Sequence, residues 1–299
     1  MKILVTGSHG LVGSALVPEL VNAGHRVVRM VRPPMKPSEN EVLWDPQSGF
    51  VEKDKLEGLD SVVHLAGENI STGRWTEKKK ANIRDSRVKS TKLLAETLAG
   101  LKSKPNTLTS ASAIGFYGSR GTEVINEKSA SGSGFLAETC AEWEEAAEPA
   151  QKAGINLVYL RFGVILSIKG GALAKMLLPF KFGVGGKIGS GHQYLSWVSI
   201  SDAINAIKHV LNSKNSSGPF NIVSQQPVTN LEFTKALGKV LSRPTVFPLP
   251  AFAARLAFGE MADELLLSSA CVIPSRLIKS GFSFKHNNLE EALRSLLGS

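Results

Sequence analysis

The chain is poor in the residues that build metal centres and covalent frameworks. Cys140 and Cys271 are its only cysteines in 299 residues, which excludes a disulfide scaffold and a cysteine-rich zinc site and suits a reducing compartment. Six histidines are scattered with no His-x-His or His-x-x-x-His pair, so no metal is expected. Tyrosine occurs three times, as Tyr117, Tyr159 and Tyr194. No apolar run reaches the roughly 18 residues of a membrane span. The opening MKILVTGSHG breaks its apolar stretch with Gly and His, so no secretory leader and a cytoplasmic location are expected. Internal repeats and low-complexity tracts are also missing.

Acidic residues are outnumbered by basic ones, giving a net charge of +9. The cations are dispersed, with Lys78, Lys79 and Lys80 the densest run. That pattern points to an anionic small molecule rather than to nucleic acid. Hydrophobic residues make up 42% of the chain, enough for a large core.

Apolar runs that read as strands alternate with helical spacing over the first two-thirds, the pattern of an α/β fold with a parallel sheet. Strands are expected at Lys2–Thr6, Arg26–Val31, Ser61–Ala66, Thr107–Ala113 and Asn156–Arg161. Helices are expected after Leu11, over Trp75–Gly100, Phe135–Ala153, Ser201–Asn212, Asn230–Leu241 and Leu289–Leu297. Pro33, Pro34 and Pro37 mark a loop. These elements divide into a dinucleotide-binding domain over 1–165, its sheet completed by 195–225, and a smaller substrate-side α/β region over 166–299. The region's C-terminal module spans about 245–297, and its apolar segments 252–258 and 265–267 suggest core or homodimer packing. Asn215-Ser216-Ser217 fits a glycosylation sequon, which has no use in a cytoplasmic protein.

Thr6-Gly7-Ser8-His9-Gly10-Leu11-Val12-Gly13 lies between the first strand and the first helix. Gly7 permits the tight turn, Gly10 lets backbone N–H groups reach a pyrophosphate, and Gly13 lets helix and strand pack closely. The N–H groups of Leu11 and Val12 at the helix start would face the phosphates. At the end of the second strand, Val31-Arg32 offers no acid for a ribose 2′-hydroxyl. A guanidinium there matches a 2′-phosphate, so NADP(H) is expected with Arg32 as its reader, although Arg29 could face the same way. Leu65-Ala66-Gly67 ends the next buried strand in small residues, where the nicotinamide-side ribose would need room.

The glycine loop resembles that of the extended short-chain dehydrogenase/reductases, a superfamily with a Rossmann-type doubly wound sheet. The match is closer to the epimerase-family branch of atypical short-chain dehydrogenase type. It rests on Leu65–Asn69 (LAGEN), Arg74-Trp75, Ser86-Arg87, Phe135–Ala147, Gly189–Asp202 and Ile273–Phe284 (IPSRLIKSGFSF), and it covers essentially the whole chain. The resemblance implies that Asn82 and Arg87 contact NADP. It also implies a nucleotide-sugar epimerase or oxidoreductase.

That superfamily transfers hydride with a Ser or Thr, a Tyr acid/base and a Lys four residues later. The helix in question starts at Phe135 and has neither the Tyr nor the Lys. Ser112 and Tyr117 are the expected replacements, with Glu68 a weaker one. Arg74, Trp75, Arg161, His192, Gln193 and Trp197 are the expected substrate-side residues, supplying cations, hydrogen bonds and an aromatic wall. Asp202 is expected to cap a helix or pair with an Arg, and Trp143 and Glu144 to pack their helix. Two functions remain open: an NADP(H)-dependent epimerase or oxidoreductase with an unusual acid/base, or a non-catalytic NADP(H) sensor.

Overall fold

The computed structural model describes residues 1–33, 38–213 and 216–298. Pro34, Pro37 and Asn215 of the sequence reading lie outside them. In chain order the strands are β1 (Lys2–Thr6), β2 (Arg26–Val31), β3 (Glu41–Asp45), β4 (Phe50–Val51), β5 (Ser61–His64), β6 (Thr107–Ala113) and β7 (Val124–Ile125). They continue with β8 (Asn156–Phe162), β9 (Val164–Leu166), β10 (Tyr194–Leu195), β11 (Trp197–Ser199), β12 (Gly218–Ile222), β13 (Val228–Thr229) and β14 (Cys271–Val272). The helices are α1 (Leu11–Asn22), α2 (Glu77–Ala99), α3 (Phe135–Glu145), α4 (Glu148–Lys152), α5 (Gly171–Lys181), α6 (Ile200–Asn212), α7 (Asn230–Leu241), α8 (Ala251–Phe258), α9 (Ser275–Lys279) and α10 (Leu289–Leu297).

Eight strands form one sheet in the order β12-β8-β6-β5-β1-β2-β3-β4. All neighbours are parallel except β3 and β4. The chain first builds outward from β1 through β2 and β3, then returns to the other side of β1 for β5, β6, β8 and β12. The order therefore reverses between β1 and β5, where an open α/β sheet leaves a crevice at its carboxyl ends.

β1 and β5 are buried on both faces, as their continuous apolar runs require. One face packs Val158, Leu160, Phe220 and Ile222 against α1 and α6 through Leu16, Leu20, Ile204 and Ile207. The other packs Leu4, Val28, Val62 and Leu108 against α2 through Leu94 and Leu98. A third apolar cluster joins α5, α7 and α10 through Leu173, Phe233, Leu237 and Leu293. Among the described residues no helix is long and apolar enough to cross a membrane.

Local chemistry sets several boundaries. Thr76 caps α2 by accepting from Lys79 N, so the helix starts two residues after Trp75. The helical stretch expected over Phe135–Ala153 is two helices, and Pro149 lies in the first turn of the second. β3 is absent from the sequence reading: its five residues EVLWD carry acids at both ends and read poorly as a strand.

The C-terminal module is laced into the rest of the chain. β14 pairs with β7, Cys271 opposite Val124 and Val272 opposite Ile125. Asp202 neither caps α6 with its carboxylate nor meets an Arg. Ser199 is the cap, and the Asp202 carboxylate accepts from Lys285 N at 2.7 Å and His286 N at 3.2 Å. Within α8, Ala254 is buried while Phe252 and Leu256 are exposed.

Candidate cofactor crevice and its surroundings

The turn after β1 is shaped by contacts that only glycine permits. Gly7 has φ +65°, and a Cβ there would sit 2.6 Å from the Leu65 carbonyl. A Cβ on Gly13 would lie 2.2 Å from Gly7 O, against 3.2 Å for Gly10. Gly10 N donates to Gly7 O at 2.9 Å and Gly10 serves as the N-cap of α1 without a side-chain bond. No acidic residue sits in the first turn of α1, so its N–H groups and partial positive charge are left for a ligand.

The opposite lip, Leu65–Gly67, is fixed from beneath by Thr6. Thr6 Oγ1 accepts from Leu65 N at 3.1 Å and Ala66 N at 3.2 Å, and lies 2.7 Å from His64 Nδ1. With both lone pairs engaged, the Thr6 hydroxyl donates to Nδ1, which puts the ring proton on Nε2. Nε2 then donates to Thr91 Oγ1 at 2.9 Å, which also accepts from the Trp143 indole at 2.9 Å. His64 has no exposed surface, and burial pushes its pKa down to about 4.

Arg32 and Val31 close β2 at the same end of the sheet. Val31 is buried and Arg32 exposed. Arg29 is taken by Glu41 at 2.8 Å, which leaves Arg32 as the guanidinium there with no carboxylate pair among the described residues. Asp45 is close enough to feel its charge but is already held by Ser48 and Gln47.

The two α2 residues take different settings. Asn82 is exposed. The Arg87 guanidinium donates to Ile83 O and Glu68 O, lies 5.1 Å from the Trp143 ring centroid and passes 3.5 Å from where a Gly67 Cβ would be. Burial lowers its pKa. Glu68 itself pairs with Lys79 at 2.7 Å at the surface.

The expected catalytic pair is not presented to a ligand. Ser112 Oγ donates to Glu144 Oε1 at 2.7 Å, and Arg161 grips both Glu144 oxygens at 2.8 Å. Arg161 Nη1 donates to the Tyr117 oxygen at 2.9 Å, and Tyr117 donates onward to Asn221 at 2.7 Å. Phe116 stacks 3.5 Å from the Arg161 guanidinium. Tyr117 has no exposed surface, and burial raises its pKa. Ser112 and Tyr117, expected to meet a substrate, are here links in a buried chain whose donors and acceptors bond one another. Arg161, expected on the substrate side and 4% exposed, is the cation of that chain, and Glu144 is its anion rather than plain helix packing.

Three further substrate-side expectations change. Trp197, expected to form an aromatic wall, is 1% exposed, packs in the α5–α7–α10 cluster and donates to Gln226 O at 3.0 Å. Gln193 is buried and ties Ile188 O to Leu266 O. Trp75 is buried with Ile83 and Met261 and donates to Ile70 O. Arg74 and His192 remain exposed. Arg74 donates to Leu256 O at 2.8 Å and lines a cavity of about 240 Å³ with Ser71, Gly73, Ala257, Phe258 and Met261. The structure thus brings Arg74 and Trp75 against the C-terminal module but leaves His192 apart on its own loop.

Three acids absent from the sequence reading prove to organise this region. Glu41 neutralises Arg29. Glu127 accepts from Asn221 N and Arg276 N. Glu264 reaches the start of α3. No local pattern could have announced them, since Glu127 and Glu264 act on residues about 90 to 150 positions away.

Comparison with known proteins agrees with this architecture. The family model described as NAD dependent epimerase/dehydratase family matches residues 3–223, and one described as a domain of unknown function, DUF1731, matches 249–296. An epimerase family protein of Mycobacterium bovis, Mb2239, is 44% identical over 291 residues, covering 97% of this chain and 96% of the relative. The human epimerase family protein SDR39U1, crystallised with NADPH, superposes with a TM-score of 0.91 at 33% identity, covering 100% of this chain and 99% of that one. A nucleoside-diphosphate sugar epimerase from Corynebacterium glutamicum gives 0.83 at 36% identity, covering 100% of this chain and 58% of that one.

Proposed function

Because the chain belongs to the NAD-dependent epimerase/dehydratase family and carries its DUF1731 module, we propose that it binds NADP(H) between β1 and β5 and acts on a small, nucleotide-linked substrate. The observation that carries this reading is the glycine cradle: Cβ atoms at Gly7 and Gly13 would strike backbone at 2.6 and 2.2 Å. The chain therefore holds its turn tight against the opposite lip and leaves the α1 N–H groups open. NADPH in the human relative supports the same choice.

Leu11 and Val12 N–H groups would meet the pyrophosphate, and Arg32 the 2′-phosphate. Val31 would border the adenosine, Leu65, Ala66 and Gly67 the nicotinamide half, and Asn82 and Arg87 would approach from α2. When bound, the dinucleotide supplies or accepts a hydride. The chain's own part is to orient it, using lips that Thr6 holds at a fixed separation. Arg32→Glu should weaken NADPH binding at least ~10-fold while NADH binding changes little, since a bidentate charged contact becomes a repulsion. Unchanged NADPH affinity in calorimetry would remove Arg32 from the site.

A sensor that holds NADP(H) without turnover is the second reading. The buried, self-satisfied setting of Ser112 and Tyr117 favours it. Loading the protein with NADPH and screening carbonyl metabolites and nucleotide sugars separates the two: coenzyme oxidation or epimer formation supports the enzyme, and tight binding without either supports the sensor.

A further inference from the structure

On α3, Phe135 has no ionisable group, Thr139 is buried and Glu138 is turned to the surface, yet a carboxyl group is delivered to the helix start from the C-terminal module. Residues Ala262–Leu266 form one turn of π-helix, a geometry often found at functional sites. Glu264 within it reaches Gly134, the N-cap of α3, and its Oε2 accepts from Leu136 N at 3.4 Å. A Cβ on Gly134 would lie 2.8 Å from Glu264 Oε1, and Gly134 has φ +104°. The positive φ favours glycine at 134, and the Glu264 carboxyl sits directly against it.

Its surroundings join α3 to the segment that runs on from the Leu65–Gly67 lip proposed to border the nicotinamide half. Trp75 from the segment after β5 meets Phe135 edge-on at 5.3 Å, and both pack with Ile83, Leu136, Phe258, Met261 and Leu265. Gly115, in the turn just after β6, faces Leu136 and Cys140 of α3.

We infer that Glu264 is the proton donor and acceptor of this site, supplied by the C-terminal module in place of a tyrosine on α3. The inference rests on the reading that the crevice holds NADP(H) for hydride transfer. In the reducing direction a carbonyl carbon would gain a hydride, which carries the two electrons, from the nicotinamide. The carbonyl oxygen takes the Glu264 proton, an O–H bond forms on the product alcohol, and the carboxyl O–H breaks to leave a carboxylate. The reverse step returns the proton.

The charged groups around Glu264 suit that task. Glu138 lies on α3 and Glu260 one turn earlier in the module. Lys80 from α2 holds Glu260 at 3.0 Å and stands 5.6 Å from the Phe135 ring centroid, Arg255 is taken by Asp263, and Arg74 points to Leu256 O. No cation pairs with Glu264 among the described residues. Burial, with Glu260 and Glu138 adding to it, holds its carboxyl above the usual carboxylate range even though Leu136 and Phe135 N–H groups pull the other way.

A purely structural staple at the α3 N-terminus would predict the same contacts, so the test reads the nicotinamide. The full-length protein, labelled with carboxyl-¹³C glutamate, is titrated by NMR in its NADPH and NADP⁺ complexes, with Glu264→Gln assigning the signal. Gln keeps an acceptor for the α3 N–H groups but cannot titrate. The expected result is a Glu264 midpoint lower by at least about half a unit with NADP⁺ than with NADPH, because the oxidised ring is cationic. Equal midpoints with both coenzymes bound would overturn the inference. Failure of either coenzyme to bind would overturn the reading beneath it and the inference too. If Glu264→Gln does not fold, Glu264→Asp supplies the assignment, since the titration itself uses the native chain.

Discussion

His64 gives a quantitative test of the crevice floor. Its ring is buried, neutral and committed to Thr6 and Thr91, and its pKa lies near 4, against about 6.5 in an unfolded chain. The unfolded state therefore takes up a proton first as pH falls. Stability is present above pH 6.5 and is lost down through pH 4. The two pKa values give a loss of about 2 kcal/mol by pH 5 and about 3 kcal/mol by pH 4 from this residue alone. Carboxylates with lowered pKa, such as Glu41 and Glu52, contribute mainly below that window. Urea unfolding at half-unit steps from pH 7 to 4.5, for the native protein and His64→Gln, isolates the effect. The variant starts less stable at pH 7, and the gap narrows by about 2 kcal/mol on reaching pH 5. Parallel curves would show that His64 is charged or solvated in the folded state, and the hydrogen-bond chain under the crevice would be wrong.

Arg161→Met leaves the largely covered Glu144 with only Ser112 for a partner and should cost about 3 kcal/mol. Adding Glu144→Leu should recover part of that loss, measured by urea unfolding. Gly13→Ala forces a methyl group onto the Gly7 carbonyl, and should cost about 1–3 kcal/mol of stability and at least ~10-fold in NADPH affinity by calorimetry. Burial pushes the Cys140 thiol up to about 12, so it stays protonated at pH 8. Mass spectrometry should find it unmodified by iodoacetamide until the chain is unfolded.

The legible parts of this protein were those built from neighbours in sequence. β1, the glycine turn and α1 occupy the first 22 residues, and their chemistry is set by spacing alone. Arg161, Tyr117 and Ser112 look like ligand groups taken singly, because a charged, a phenolic and a hydroxyl side chain at strand ends commonly are. Glu144 and Asn221 consume them, and those partners lie 17 and 104 residues away. The burial of Trp197 and Gln193 was hidden for a related reason: a glycine-rich stretch suggests exposure, whereas these side chains turn inward to bond carbonyls at 226 and 266. Burial of a polar side chain is a tertiary property, and no periodicity reports it.

The pairing of β14 with β7 has a consequence for how the molecule is made. It joins segments almost 150 residues apart, and such closures are entropically slow. During synthesis the sheet from β1 to β12 can assemble while the last fifty residues are still inside the ribosome. The segment around β7 must wait for them, with Glu127 lacking the Arg276 amide and α3 lacking Glu264. A nascent chain arrested before residue 250 should bind dinucleotide yet remain open to proteolysis between 118 and 134. The dinucleotide crevice and the contacts of the C-terminal module would then mature one after the other.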